Sequence, residues 1–241
     1  MLVAFAYAFS HQKTYDGILA LVASGLTPDV VVAQDFKQLK VKRSPTRVGA
    51  QGLTFPTAEE LCERFGIEYL NLDHDSPELA ATLTELQPEA GIILGARILK
   101  QPVIEPFHQG IVNLHPGVLP LNRGLDNLKW AILRGLPQGV TSHFIDTAID
   151  RGRFIDQRVI DVYPDDSLLD INLRIQNTEM NLMTASLHAA AGREISSFET
   201  LGEGEYNTAM DPEVDERMLE AFEDYKARYA AIKDAYTPPT V

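Results

Sequence analysis

The chain has 241 residues, enough for one substantial core with a small appendage. Its 21 basic and 34 acidic residues give a formal charge of −13, which argues against a nucleic-acid partner held by general electrostatics, because phosphate contacts need Lys and Arg. The single cysteine, Cys62, excludes an internal disulfide and a cysteine metal cluster.

The apolar start Met1–Phe9 lacks a basic flank and is too short to span a bilayer. It reads as a first buried strand, about Leu2 to Ala8, in a cytoplasmic protein with no membrane partner. Tyr15–Ser24 reads as a helix closed by Gly25. Pro28–Ala33 is β-branched and apolar, hence a buried strand. A helix from about Thr57 to Phe65 stops at Gly66 and carries Cys62 as a packing residue. A short strand, Ile67–Leu70, precedes a helix over Glu78–Leu86 with Pro77 in its first turn. Ala90–Leu94 is a strand, and another begins at Gly110. Leu125–Leu133 is a helix, Val140–Ile145 and Phe154–Val162 are strands, and Asp166-Ser167 caps a long helix over Leu168–Ala190. This alternation predicts an α/β fold with a doubly wound, mainly parallel sheet. After about Gly192 the alternation weakens. Residues 193–241 read as an acidic, partly helical C-terminal extension, a subdomain or partner-facing segment, with a helix from Pro212 to about Lys233.

No glycine lies between the first strand and Gly17, so the dinucleotide fingerprint is missing, and no Walker-type phosphate loop occurs. Phe36–Arg47 holds Lys37, Lys40, Lys42, Arg43 and Arg47 and no acid. It reads either as a solvated surface loop or as a site for a substrate phosphate. In the second reading Lys42 and Arg43, with Arg123, are the candidate ligands of a phosphorylated acceptor. Lys129 would join them if the loop folds toward it.

The richest stretch is Ile111–Pro120. Asn113 and His115 stand two apart at the end of a strand, so they share one face. Pro116 and Pro120 stop the strand and stiffen the loop beyond it. The carboxyl ends of the strands are where an open α/β sheet takes its ligands. Downstream, His143 leaves a strand, and Asp150 stands before the turn signal Arg151-Gly152. A carboxylate there can face His115 across adjacent strand ends.

The series Asn113-Leu114-His115-Pro116-Gly117-Val118-Leu119-Pro120, Arg123-Gly124, Trp130-Ala131-Ile132, Gly139-Val140-Thr141, His143 and Asp150-Arg151-Gly152 resembles the folate-dependent formyltransferase family. Gly95-Ala96-Arg97-Ile98-Leu99 resembles a folate-pocket segment of the same family. The likeness is densest over about Ile92–Val162 and extends in outline over the first 190 residues. It implies a Rossmann-like catalytic domain over 1–192 and 10-formyltetrahydrofolate as co-substrate. It also implies Asn113, His115 and Asp150 as the catalytic trio. Arg97, Ile98, Leu99, Gly117, Val118, Leu119, Pro120, Asp146 and Ile149 fall on positions that line the folate site. Gly117 stands where the family often carries Ser.

Formyl transfer suits these groups. A neutral amine attacks a carbonyl and generates an oxyanion, to which the Asn113 amide and a protonated His115 can donate. One preorganised donor of this kind is worth about 3 kcal/mol of barrier. Asp150 would favour the imidazolium and fix its ring, or assist a water-mediated proton transfer. Holding both reactants supplies roughly 7 kcal/mol more. No metal is required. The expected acceptor is the primary amine of a small phosphorylated molecule such as an amino-sugar nucleotide, and a homodimer is a candidate assembly. The alternatives are a methionyl-tRNA formyltransferase, a phosphoribosylglycinamide formyltransferase, a formyltetrahydrofolate hydrolase and a non-catalytic folate-binding protein.

Overall fold

The computed structural model describes residues 1–38, 45–48, 52–147 and 150–239. Five strands lie parallel: β1 (Leu2–Tyr7), β2 (Val30–Gln34), β3 (Glu68–Asn71), β4 (Ala90–Ile93) and β5 (Ile111–His115). With β6 (Arg123–Gly124) set apart, β7 (Gly139–Phe144) runs antiparallel to β5, and β8 (Arg153–Val159) antiparallel to β7. The seven-stranded sheet has the order β3-β2-β1-β4-β5-β7-β8. The chain moves outward from β1 through β2 and β3, then returns to β1's other side at β4. That reversal places a topological switch point at the carboxyl ends of β1 and β4, where doubly wound sheets take ligands.

The pleat divides the core in two. Val3 and Phe5 face one side with Val30 and Val32, beneath α3 (Pro77–Leu86) and α4 (Gln101–Ile104). Ala4, Ala6 and Ala33 face the other, beneath α1 (Gln12–Ala23) and α2 (Ala58–Phe65). Small side chains on that face let the helices approach closely. Gly17 on α1 follows the same logic, since a Cβ there would lie 2.6 Å from Leu94 Cδ2. Cys62 packs in this layer as a buried free thiol.

Local signals account for the helix ends. Thr57 and Glu60 form a reciprocal capping box at α2, and Gly66 closes that helix in the left-handed conformation, φ 67°. Ser167 and Asp170 form a second box at α6 (Leu168–Ala190). Helix α1 starts three residues before the expected Tyr15, because the His11 side chain accepts from the Thr14 amide and caps it. Two elements had no legible pattern: the four-residue α4 and a second sheet in which β6 pairs with β9 (Tyr206–Asn207).

Residues on both sides of position 192 share one core. Helix α7 (Pro212–Asp234) turns Met218, Phe222, Tyr225 and Tyr229 toward α5 (Asn127–Arg134) and the end of β8. Tyr225 Oη donates to Leu136 O (2.8 Å) and Tyr229 Oη to Ile160 O (2.7 Å). Burial pushes the Tyr229 phenol up to about 12, and the neighbouring Asp161 charge adds to this against the opposing Gln138 contact and Arg174 charge. Both phenols are therefore neutral donors throughout the physiological range. Among the described residues no helix is long and apolar enough to cross a membrane.

Candidate active site

Strand β5 pairs with β4 only through Ile111 and Val112, while its antiparallel pairing with β7 continues to His115. Its last residues are therefore open on one side and supported on the other. Leu114 O on the open side accepts from Lys13 Nζ (2.9 Å), which also pairs with the buried Glu179 at 2.6 Å. Asn113 stands directly opposite His143.

His143 is 1 % exposed. Burial, then the neighbouring His115 charge, push its pKa down to about 4 against the opposing pull of Asp150, so it is neutral at neutral pH. Its Nδ1 lies 3.1 Å from Phe144 O, an acceptor, so the proton sits on Nδ1 and Nε2 carries the lone pair. Asn113 Nδ2 donates to that lone pair at 3.2 Å. The amide is thereby held in one orientation, with a second N–H and its carbonyl oxygen left over.

His115 faces an acceptor from each ring nitrogen. Nε2 lies 2.8 Å from Asn122 O, and Nδ1 lies 3.3 Å from Asp150 Oδ1. A ring with both nitrogens protonated satisfies both. The approach of Asn122 depends on Gly117: a Cβ there would lie 2.8 Å from Asn122 O and 2.9 Å from His115 Nε2. Asp150 adopts φ 53° and receives the Gly124 amide on Oδ2 at 2.9 Å. Burial alone would raise its pKa. The His115 hydrogen bond and charge, the Gly124 amide and the His143 charge outweigh burial and hold the carboxyl at about 2. Gly152 makes the return into β8 possible, since a Cβ there would lie 1.7 Å from Phe144 O.

The loop after β5 is tied down by Thr141 on β7. Its Oγ1 donates to Gly117 O (2.7 Å) and accepts from the Leu119 amide (3.0 Å). Gln157 on β8 donates to Leu119 O at 3.0 Å. Val118 and Leu119 bury their side chains completely, and the Leu119–Pro120 peptide is cis. What this part of the loop presents outward is backbone and the half-buried Pro120.

Asn113, His115 and Asp150 thus come together. Of the expected folate-lining positions, Ile98 is 65 % exposed, Arg97 is half-buried, Asp146 is exposed, and Leu99 is buried beside Val103 and Phe107. Ile149 lies outside the described residues. So do Lys42 and Arg43, while Arg47 is exposed. Arg123 donates through Nη1 to Gly204 O (3.0 Å) and lies over the Tyr206 ring. Lys129 is buried, pairs with Asp215 at 3.3 Å and donates to Thr46 O, so it anchors the end of the basic segment rather than adding open charge. Sequence reasoning missed the parts played by Thr141, Gln157 and Asn122, whose contacts run through loop backbone and leave no periodic trace. Among the described residues there is no cluster of His, Cys, Asp and Glu fit to hold a metal ion.

The chain is similar to known proteins. A family model described as formyl transferase matches residues 29–187. The methionyl-tRNA formyltransferase of Chlorobium chlorochromatii is 25% identical over 173 residues, covering 70% of this chain and 52% of that one. That of Chloroflexus aggregans is 32% identical over 141 residues, covering 56% and 46% respectively. The chain thus spans about half the length of the curated relatives it matches. Among solved structures, phosphoribosylglycinamide formyltransferase from Bacillus halodurans superposes with TM-score 0.60 at 23% identity, covering 80% of this chain and 96% of that one. A sugar N-formyltransferase from Shewanella sp. FDAARGOS_354 gives TM-score 0.60 at 18% identity, with 92% and 87% covered. These likenesses support the same doubly wound fold. With the family model spanning well over half its length, the chain belongs to the formyl transferase family.

Proposed function

We propose that the protein transfers a formyl group from 10-formyltetrahydrofolate to the primary amine of a small phosphorylated acceptor, an amino-sugar nucleotide being the leading case. The observation that carries this reading is the meeting of an oriented amide, Asn113, with the His115–Asp150 pair at the open end of β5. The donor set is chemically suited to a carbonyl under attack. Asn113 has one N–H engaged by His143 and a second free to meet an oxyanion. His115 can join it by exchanging Asn122 O for the substrate oxygen, with Asp150 balancing its charge.

In the proposed reaction the amine lone pair attacks the formyl carbon and the carbonyl electrons move to oxygen. The oxyanion then collapses, the bond to the folate nitrogen breaks, and that nitrogen takes up a proton. The attacking amine loses one. Asp150, held as a carboxylate, takes that proton through a bridging water and hands it on to the departing folate nitrogen, while His115 keeps both of its ring protons as a donor. The exposed Ile98 and Asp146 and the backbone of the 117–120 loop are the proposed folate contacts.

The sugar N-formyltransferases and phosphoribosylglycinamide formyltransferases among the similar structures act on small acceptors by their names, which favours a small acceptor here. The methionyl-tRNA formyltransferases among the relatives favour a second reading, a tRNA acceptor. A charge of −13 weighs against it. The deciding assay follows tetrahydrofolate release from 10-formyltetrahydrofolate with amino-sugar nucleotides, phosphoribosylglycinamide and methionyl-tRNA in turn. Release with an amino-sugar nucleotide alone supports the leading case. Release without any amine would make the protein a hydrolase, and binding without release would remove the enzymatic reading.

A further inference from the structure

The His115–Asp150 pair sits on residues 122–124. Asn122 O receives His115 Nε2 at 2.8 Å, and the Gly124 amide reaches Asp150 Oδ2 at 2.9 Å. These residues belong to no part of the main sheet. They are held by a two-residue strand from far downstream, with Arg123 paired to Tyr206 and Gly124 to Asn207. Asn207 is 2 % exposed, and it grips the segment twice. Its Nδ2 donates to Asn122 Oδ1 at 2.8 Å, and its carbonyl accepts the Leu125 amide at 2.9 Å. The two backbones are in contact, since a Cβ on Gly124 would lie 2.1 Å from Asn207 O.

Asn122 is itself 1 % exposed and has its Nδ2 committed to Asn127 O at 2.8 Å. Its Oδ1 therefore needs a donor from elsewhere, which Asn207 supplies. Side chain and carbonyl belong to one short residue, so what fixes the first limits the second. We propose that Asn207 is a positioning residue of the active site, acting through Asn122 to set the carbonyl that orients the His115 ring. A residue outside the segment that matches the family, 29–187, thereby completes the site. The functional half of this inference rests on the reading of His115 as a reacting group.

The test uses the full chain, labelled with 15N in its six histidines. The His115 ring signals are assigned by their loss in His115→Gln. In Asn207→Ala the His115 ring-nitrogen signals should shift, while those of the exposed His108 stay put. With 10-formyltetrahydrofolate and the accepted amine, kcat should fall about tenfold or more while the KM for the formyl donor changes less than about threefold. Glu205→Ala, on the same segment but pointing to solvent at Arg134, should leave both readouts unchanged. Asn207→Ser, which cannot reach Asn122 Oδ1, serves if the alanine variant does not fold. Unchanged His115 signals in a folded Asn207 variant overturn the inference. So does a full rate in that variant when His115→Ala is inactive. If His115→Ala also keeps its full rate while the Asn207 variant shifts the ring signals, the formyl-transfer role falls and the positioning stands.

Discussion

Asn113 carries two amide protons, and the strand opposite consumes one of them. The acceptor is His143 Nε2, available because burial keeps that ring neutral and Phe144 O takes the proton on the other nitrogen. His143→Phe would leave the Asn113 amide free to rotate without touching a substrate. Its expected effect is a fall in kcat of about tenfold with KM nearly unchanged, smaller than the loss from Asn113 itself. Steady-state kinetics of the pair would show it, and an unaltered kcat in His143→Phe would strip the residue of that part. Asn113→Ala, His115→Ala and Asp150→Asn should each lower turnover by on the order of 100-fold, the usual loss for one preorganised group. Near-full rate in any one of them would take that residue out of the mechanism. Asn113 and His115 were legible because alternation along a strand puts positions i and i+2 on one face. Asp150 was legible only as a carboxylate at a turn. Its left-handed φ of 53° and its hold on the Gly124 amide depend on tertiary contacts that no local pattern encodes.

The turn from Pro116 to Gly124 and the tail that braces it form the element on which the proposed chemistry depends. Gly117 lets Asn122 O come down onto His115. Gly117→Ser should push the turn outward in this chain and lower kcat while leaving the thermal midpoint within a few degrees. An unchanged kcat would mean that the turn has room to adapt. The main helices and the strands β1 to β8, apart from β6, were readable because caps, glycine stops and apolar periodicity agree with the packing, as at Thr57–Glu60 and Ser167–Asp170. The pairing of β6 with β9 was not readable. Two residues show no alternation, and their partner lies more than eighty positions away. The tail read only as an acidic, partly helical extension, yet Asp215 is 1 % exposed. It pairs with Lys129 at 3.3 Å and accepts the Thr46 amide at 2.8 Å. Asp215→Ala should therefore cost about 3 kcal/mol or more by stranding a buried lysine, whereas Lys129→Met with Asp215→Leu should recover most of it. Urea unfolding of the three proteins would decide, and an Asp215→Ala variant within 1 kcal/mol of the parent would rule out a stabilising pair.

Acid sensitivity belongs to the molecule as a whole, because its buried and half-buried histidines lie on several elements. His11 caps α1, His74 sits behind β2 and donates no surface charge, and His143 backs Asn113. Burial is the first cause in each case and pushes each pKa from 6.5 down to about 4. Between these values the unfolded chain binds protons that the folded chain refuses. Stability is therefore fully present above pH 6.5 and falls as the pH drops toward 4, by up to about 1.4 kcal/mol per pH unit for each group that behaves so. Asp150 acts in a lower window. Its carboxyl is held at about 2, below its ordinary 3.8, so its contribution is intact above pH 4 and is lost only as the pH falls toward 2. The two windows separate the histidines from the carboxyl in one experiment. Thermal midpoints measured from pH 7.5 to 4.5 should fall steadily, and His74→Phe should flatten the slope by about one proton's worth. The same substitution should leave the behaviour below pH 4 unchanged. A flat profile between pH 6.5 and 4.5 would mean that these rings take up protons in the folded protein, and His143 could then no longer serve as the acceptor that orients Asn113.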